Sequence, residues 1–164
     1  MLPRTQMRWV TFDCVGTLVS GKAWPRIQMF DDVEPLLAEL RRRGYRLRVL
    51  TNCTDEQFEN THRTFERPFD FYVTSERIRG HKPEPWHFRG FRLLTGVRCE
   101  DWVHVSSDWH KDIVPAQSLG IRRVWFDRLE TGQDPSRASV HVHTASDAIA
   151  AVDWLFRERE ARAS

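Results

Sequence analysis

The chain has 164 residues, 40% hydrophobic and 29% charged, which fits one globular domain over residues 1–164 and excludes wholesale disorder. With 25 Lys and Arg against 23 Asp and Glu, the formal charge of +2 is too near neutral to indicate nucleic acid. No apolar run approaches the ~18 residues of a membrane span, MLPRTQMRW lacks the apolar stretch of a secretory signal, and Cys14, Cys53 and Cys99 form neither a disulfide framework nor a zinc pattern, so a soluble, cytoplasmic protein is expected.

Short apolar runs alternate with amphipathic stretches along the chain. Arg8–Asp13 (RWVTFD) reads as a strand ending in an acid. Asp31–Arg43 places Val33, Leu36, Leu37 and Leu40 on one helical face, with acids first, arginines last and Gly44 as the stop. Arg46–Leu50 alternates as a strand, Thr54–Phe65 is helical with Thr54 or Asp55 as its cap, and Phe69–Thr74 is again strand-like. Pro85–Thr95 reads as a helix closed by Gly96, Asp101–Ser106 and Arg122–Phe126 as strands, and Ser146–Glu160 as a closing amphipathic helix. Glu130–Ser139 is a surface loop, and most of the seven tryptophans are expected in the core. The alternation predicts an α/β fold: a three-layer, doubly wound, Rossmann-like arrangement with a mostly parallel five-stranded sheet. In such sheets the chemistry collects at the carboxyl ends of the strands.

Those ends carry a recurring polar set. Asp13-Cys14-Val15-Gly16-Thr17 follows the first strand and Thr51-Asn52 the second; Lys82-Pro83 precedes the third helix; Ser107-Asp108 follows the fourth strand, with Asp112 beyond it. Singly, each is an ordinary turn or cap. Together, in this order, they resemble the haloacid dehalogenase superfamily of hydrolases, over Trp9 to about Phe156. The resemblance implies that Asp13 is a nucleophile, that Thr51 holds a substrate oxygen, that Lys82 steadies the nucleophile, and that Asp108 and Asp112 form the acidic pair of the fourth motif. Thr17, Asn52 and Ser107 would line the substrate anion. In a phosphatase of this kind, Asp13, the Val15 carbonyl, Asp108 and Asp112 would form the Mg²⁺ side, and the stretch from Val103 to Arg128 looks like the dehalogenase-type branch.

Two departures from that pattern carry weight. Most phosphatases of the superfamily place a proton-moving Asp where Val15 stands, and a valine forgoes help of typically 10²–10⁴-fold. Dehalogenases lack that Asp too, but those resembling this chain have Asn at the position of Asp108. Neither residues 19–30 nor residues 53–81 can hold the lid, or cap domain, of small-substrate members, so a capless site is expected. It would take a phosphorylated substrate, a macromolecule included, or be covered by a second copy of the chain. Trp24, Arg26, Trp109 and His110 are expected around its rim.

The leading expectation is a Mg²⁺-dependent, phosphatase-like hydrolase working through an aspartyl-phosphate. The alternatives are a hydrolytic dehalogenase using the same Asp13, and a non-catalytic module that binds phosphate or a partner protein. His81 and His110 are candidate proton relays, with solvated loop histidines as the blander reading. Cys14 and Cys53 read as buried thiols, and the Arg41–Arg43 triplet as a solvated helix end. The histidines of Val140–His143 suggest a metal, but without a carboxylate they make a poor ligand set.

Overall fold

In the computed structural model, residues 7–21 and 27–163 are described. The rim residues Trp24 and Arg26 therefore lie outside the described residues. Strands β1 (Trp9–Phe12), β4 (Arg46–Leu50), β5 (Tyr72–Val73), β6 (Trp102–Ser106), β7 (Arg122–Phe126) and β8 (Val140–Val142) form one parallel sheet in the order β5-β4-β1-β6-β7-β8. Between β1 and β4 a short antiparallel hairpin, β2 (Val19–Ser20) and β3 (Gln28–Met29), leads into α1 (Val33–Arg42). The sheet has one strand more than the five read from the sequence, because Val140–Val142 pairs with β7 from Val124↔Val140 to Phe126↔Val142. The run Phe69–Thr74 contributes only Tyr72–Val73, since Thr74 turns the chain by accepting the Arg77 N–H and capping the short helix α3 (Ser75–Ile78).

The helices form where their caps and apolar faces dictate. In α1, Val33, Leu36, Leu37 and Leu40 are buried on one face, and Gly44 with φ +84° ends the helix. Helix α2 (Asp55–His62) starts with a capping box: Thr54 accepts from Gln57 N at 3.2 Å and its own N–H donates to Gln57 Oε1 at 3.0 Å. Helix α4 (Trp86–Thr95) stops at Gly96, φ +68°. After β6 the chain makes a wide π-helical turn, Trp109–Ile113, before α5 (Val114–Ser118). Helix α6 (Ala145–Ala163) closes the chain.

Alternation along the strands gives the sheet two unlike faces. Val10 and Phe12 of β1, Val103 and Val105 of β6, and Val124 and Phe126 of β7 pack with α1 and α6 in a wholly apolar cluster. Trp9 and Trp102 face the other way, onto Phe88 and Phe91 of α4 and Ala116 of α5. On that second side Thr11 and His104 are also fully buried, so polar groups run through its packing.

The topology fixes where ligands meet the sheet. From β1 the chain winds outward through β4 to β5, then returns to build β6, β7 and β8 on the other flank. The carboxyl end of β1 is thus the switch point, flanked by the ends of β4 and β6. Between Asn52 and Lys82 the described residues hold only α2, β5 and α3, and none of the described residues forms a cap domain over this edge.

Candidate active site

Asp13 follows β1, anchored by its N–H on Val105 O at 3.2 Å. The chain then folds tightly: Leu18 N donates to Cys14 O at 2.8 Å and Gly16 N to Val19 O at 2.7 Å. Gly16 sits at φ +88°, and a Cβ there would stand 3.2 Å from Ser107 Oγ, so both conformation and space favour glycine. Arg128 secures the turn from outside. Its Nε donates to Thr17 O at 2.9 Å while the guanidinium forks onto Asp32 at 2.7 and 3.0 Å, between the rings of Phe30 and Phe126.

Lys82 is the hub. Its Nζ donates to Asp13 Oδ1 at 2.8 Å, to Asp112 Oδ1 at 2.7 Å and to Leu50 O at 2.9 Å. An ammonium has three donors, and all three are engaged, so Lys82 acts on Asp13 through charge and position. Its backbone is held by Asn52, whose Nδ2 donates to Lys82 O at 2.9 Å and whose Oδ1 accepts from Lys82 N at 2.8 Å. Asn52 was expected against the substrate anion; with both amide groups on Lys82, it positions the lysine instead.

A buried chain of hydrogen bonds stands behind Lys82 and has no counterpart in the sequence reading. Trp102 Nε1 donates to Thr11 Oγ1 at 2.7 Å, so the Thr11 hydroxyl donates to His104 Nδ1 at 2.8 Å, and His104 Nε2 donates to Asp112 Oδ1 at 2.7 Å. The carboxylate can only accept, which fixes the imidazole tautomer. The alternation of β6 held the signal, because Trp102 and His104 share the face that looks toward α4.

These contacts separate the two carboxyl groups electrostatically. Burial raises Asp13 to a pKa of about 6; Lys82 opposes that shift, and the charges of Asp112 and Asp108 add to it. Burial also acts against Asp112, but Lys82 and His104 outweigh it and hold Asp112 below the usual carboxylate range. Lys82 stays charged despite burial because Asp112 and Asp13 flank it, whereas burial lowers His104. The result is a permanently ionised Asp112 beside an Asp13 that titrates close to neutrality.

The remaining residues fall into two groups. Thr51 Oγ1 accepts from Cys53 N at 3.1 Å, which leaves the hydroxyl proton to donate elsewhere, as a substrate-oxygen ligand requires. Thr17 is fully buried; its Oγ1 accepts from Ser107 N at 2.9 Å and lies 3.4 Å from Asp13 Oδ2 and 3.1 Å from Ser107 Oγ. Thr17 therefore ties the nucleophile turn to β6, whereas Ser107 is half-buried beside it. Burial raises the thiol pKa of both Cys14 and Cys53, in keeping with inert thiols. His81 lies exposed in the loop before α4, and His110 lies exposed in the π-helical turn. His87 donates to Thr51 O at 2.8 Å, and burial, together with the charge of Lys82, lowers it to about 4. Trp109 Nε1 donates to Asp134 O at 3.0 Å, fastening the 130–139 loop over the π-helical turn.

The expected Mg²⁺ donors are divided by this arrangement. Asp112 has no exposed surface, and its Oδ1 serves both Lys82 and His104, so it belongs to the lysine. Asp108 caps the π-helical turn by accepting from Lys111 N at 2.7 Å, and its side chain stays partly exposed. Asp108 is close enough to Asp13 for its charge to raise the Asp13 pKa. Two mutually repelling carboxylates suit a hard cation that takes one or two carboxylates and keeps several waters. Asp13 and Asp108 offer the oxygen chemistry that Mg²⁺ takes, whereas Asp112 has Oδ1 committed to Lys82 and His104 and Oδ2 buried without a hydrogen-bond partner among the described residues.

Known proteins resemble the chain on both sides of this chemistry. It is 34% identical over 112 residues to the phosphoserine phosphatase of Thermus thermophilus, covering 67% of this chain and 45% of that protein. It is 30% identical over 118 residues to haloacetate dehalogenase H-2 of a Moraxella species, covering 67% and 52%. The chain thus spans about half the length of these relatives. A phosphatase structure from Thermococcus onnurineus superposes with a TM-score of 0.76 at 19% identity, covering 87% of this chain and 96% of that one. A 2-haloacid dehalogenase structure from Pseudomonas syringae gives 0.75 at 17%, covering 90% and 99%. The family model for haloacid dehalogenase-like hydrolases matches residues 12–126, from the end of β1 through β7. With Asp13, Thr51, Lys82 and Asp112 all inside that span, the chain belongs to the haloacid dehalogenase-like hydrolases.

Proposed function

We propose that the chain is a phosphatase-like hydrolase in which Asp13 attacks a phosphoryl group, forming an aspartyl-phosphate that water then cleaves. The observation that carries this reading is the buried Lys82 bridge, 2.8 Å from Asp13 and 2.7 Å from Asp112, which keeps a charged lysine against the nucleophile at the switch point of the sheet. Thr51 would donate its hydroxyl proton to a phosphoryl oxygen, and Ser107 would border the other side. Mg²⁺, held by Asp13, the Val15 carbonyl and Asp108, would supply the countercharge for the transferring group. Because Val15 cannot protonate a leaving group, the proposed substrates are phosphate compounds whose leaving group departs as a stable anion. The open edge suits bulky ones, with a second copy of the chain as the alternative cover.

The same valine favours a second reading, hydrolysis of a carbon–halogen bond, because halide leaves without a proton. Turnover of an aryl phosphate with and without Mg²⁺, in wild type and Asp13→Asn, tests the first reading. Metal-dependent turnover that disappears in the variant supports it. Halide release from a 2-haloacid without added metal would replace it with the second. No turnover of either substrate, together with phosphate binding that survives Asp13→Asn, would mean a non-catalytic binding module.

A further inference from the structure

Away from Lys82, the same sheet edge carries another buried carboxylate. Asp127 follows β7 and donates its N–H to Val142 O at 2.9 Å, which sets β8 in register beside it. Phe126 and Val142 turn into the apolar core, so Trp125, Asp127, His141 and His143 share the opposite face. The histidine pair, set aside in the sequence for want of a carboxylate, acquires one from the neighbouring strand.

We propose that Asp127, His141 and His143 bind a divalent transition-metal ion of the Zn²⁺ class. One ligand atom from each residue lies within 4.8 Å of the others. His141 Nε2 stands 3.2 Å from Asp127 Oδ2, close to the ligand–ligand separation of about 3.3 Å that tetrahedral zinc imposes on nitrogen and oxygen donors. The supporting contacts are those a metal site needs. His143 Nδ1 lies 3.1 Å from Asp127 O, a carbonyl that can only accept, so Nδ1 carries the proton and Nε2 keeps its lone pair for the ion. Asp127 Oδ1 accepts from Thr131 N at 3.2 Å, leaving Oδ2 to face His141. The His141 ring stacks on Trp125 at 4.1 Å and 14°, which fixes its plane. Binding moves the His141 proton from Nε2, where Asp127 now shares it, to Nδ1, so that Nε2 takes the metal as a neutral imidazole, and it brings the exposed His143 ring inward. Two imidazoles and one carboxylate favour zinc over magnesium, and three protein ligands leave a position for water. The ion would fasten the three-residue edge strand β8 to β7.

The test is competition between metal-free protein and a chromophoric zinc chelator, with a Co²⁺ spectrum as a second probe. One zinc per chain is expected, with a Co²⁺ spectrum free of thiolate bands and a melting temperature that zinc raises. His143→Gln and Asp127→Asn should each weaken binding at least about 100-fold, whereas Cys99→Ser should leave it unchanged. His143 is exposed, so its variant folds whether or not Asp127→Asn does. Failure to hold zinc against the chelator would overturn the assignment. So would equal binding by wild type and His143→Gln, or thiolate bands in the Co²⁺ spectrum.

Discussion

Asp13 and Asp127 are both buried carboxylates at the carboxyl edge of one sheet, and the fold treats them differently. Asp13 receives an internal cation: Lys82 reaches it across the end of β4, with Asp112 and His104 behind. Asp127 receives the His141 imidazole on its carboxylate and the His143 imidazole on its backbone carbonyl, with no ammonium or guanidinium contact among the described residues. A fixed lysine keeps a carboxylate charged and its geometry constant, which suits a group that must attack. Neutral nitrogens leave the charge to be balanced from outside, which suits a group that must recruit an ion.

The contrast can be broken most severely at Lys82. Lys82→Met leaves two carboxyl groups buried without their partner and should lower stability by about 3–5 kcal/mol near neutral pH, read by urea denaturation. The folded-state pKa of Asp13 already lies above its unfolded value, so burying its charge costs stability that returns once the group takes a proton. The penalty in the variant should therefore shrink as pH falls from about 8 toward 5, and a pH-independent loss would mean that Asp13 is not the group left unpaired. Turnover should vanish with the lysine.

A gentler change sharpens the comparison. In the metal-free protein Asp13 should titrate near the pKa of about 6 that burial gives it, read by NMR of its carboxyl, whereas Mg²⁺ bound there should carry the acid limb of turnover below that value. Asp112→Asn removes a charge that raises this pKa and leaves Lys82 to Asp13 alone, so the metal-free titration should move to lower pH. A titration that stays in place or moves up would show that Asp112 does not act on the nucleophile through the lysine. At the other carboxylate, His143→Gln should shift the metal-free melting temperature by no more than about 2 °C, since the side chain is exposed.

How far the sequence could be read follows from which interactions are local. The strands Arg46–Leu50 and Arg122–Phe126 emerge with the bounds expected, and the buried face of α1 is the one its spacing marks, because periodicity records burial within a single element. Asp13 and Lys82 meet as the motif order implied. What stayed hidden depends on register between elements. His104 is a lone histidine in a valine-rich strand until β1 lays Thr11 beside it, and Asp127 is a loop acid until β8 brings His141 alongside. Asp112 looked like a partner for Asp108. The π-helical turn from Trp109 to Ile113 instead leaves Asp108 at the edge and carries Asp112 under the sheet, to Lys82.

The line of donors from Trp102 through Thr11 and His104 has one further consequence. Every hydrogen in it points toward Asp112, and the indole at its far end can give a proton to a hydrogen bond but cannot receive one. Such a line has a sealed origin, so it cannot work as a conduit that ferries protons between solvent and the reacting centre. It works as a stack of aligned dipoles, set at folding, that ends on Asp112 beside the ammonium of Lys82.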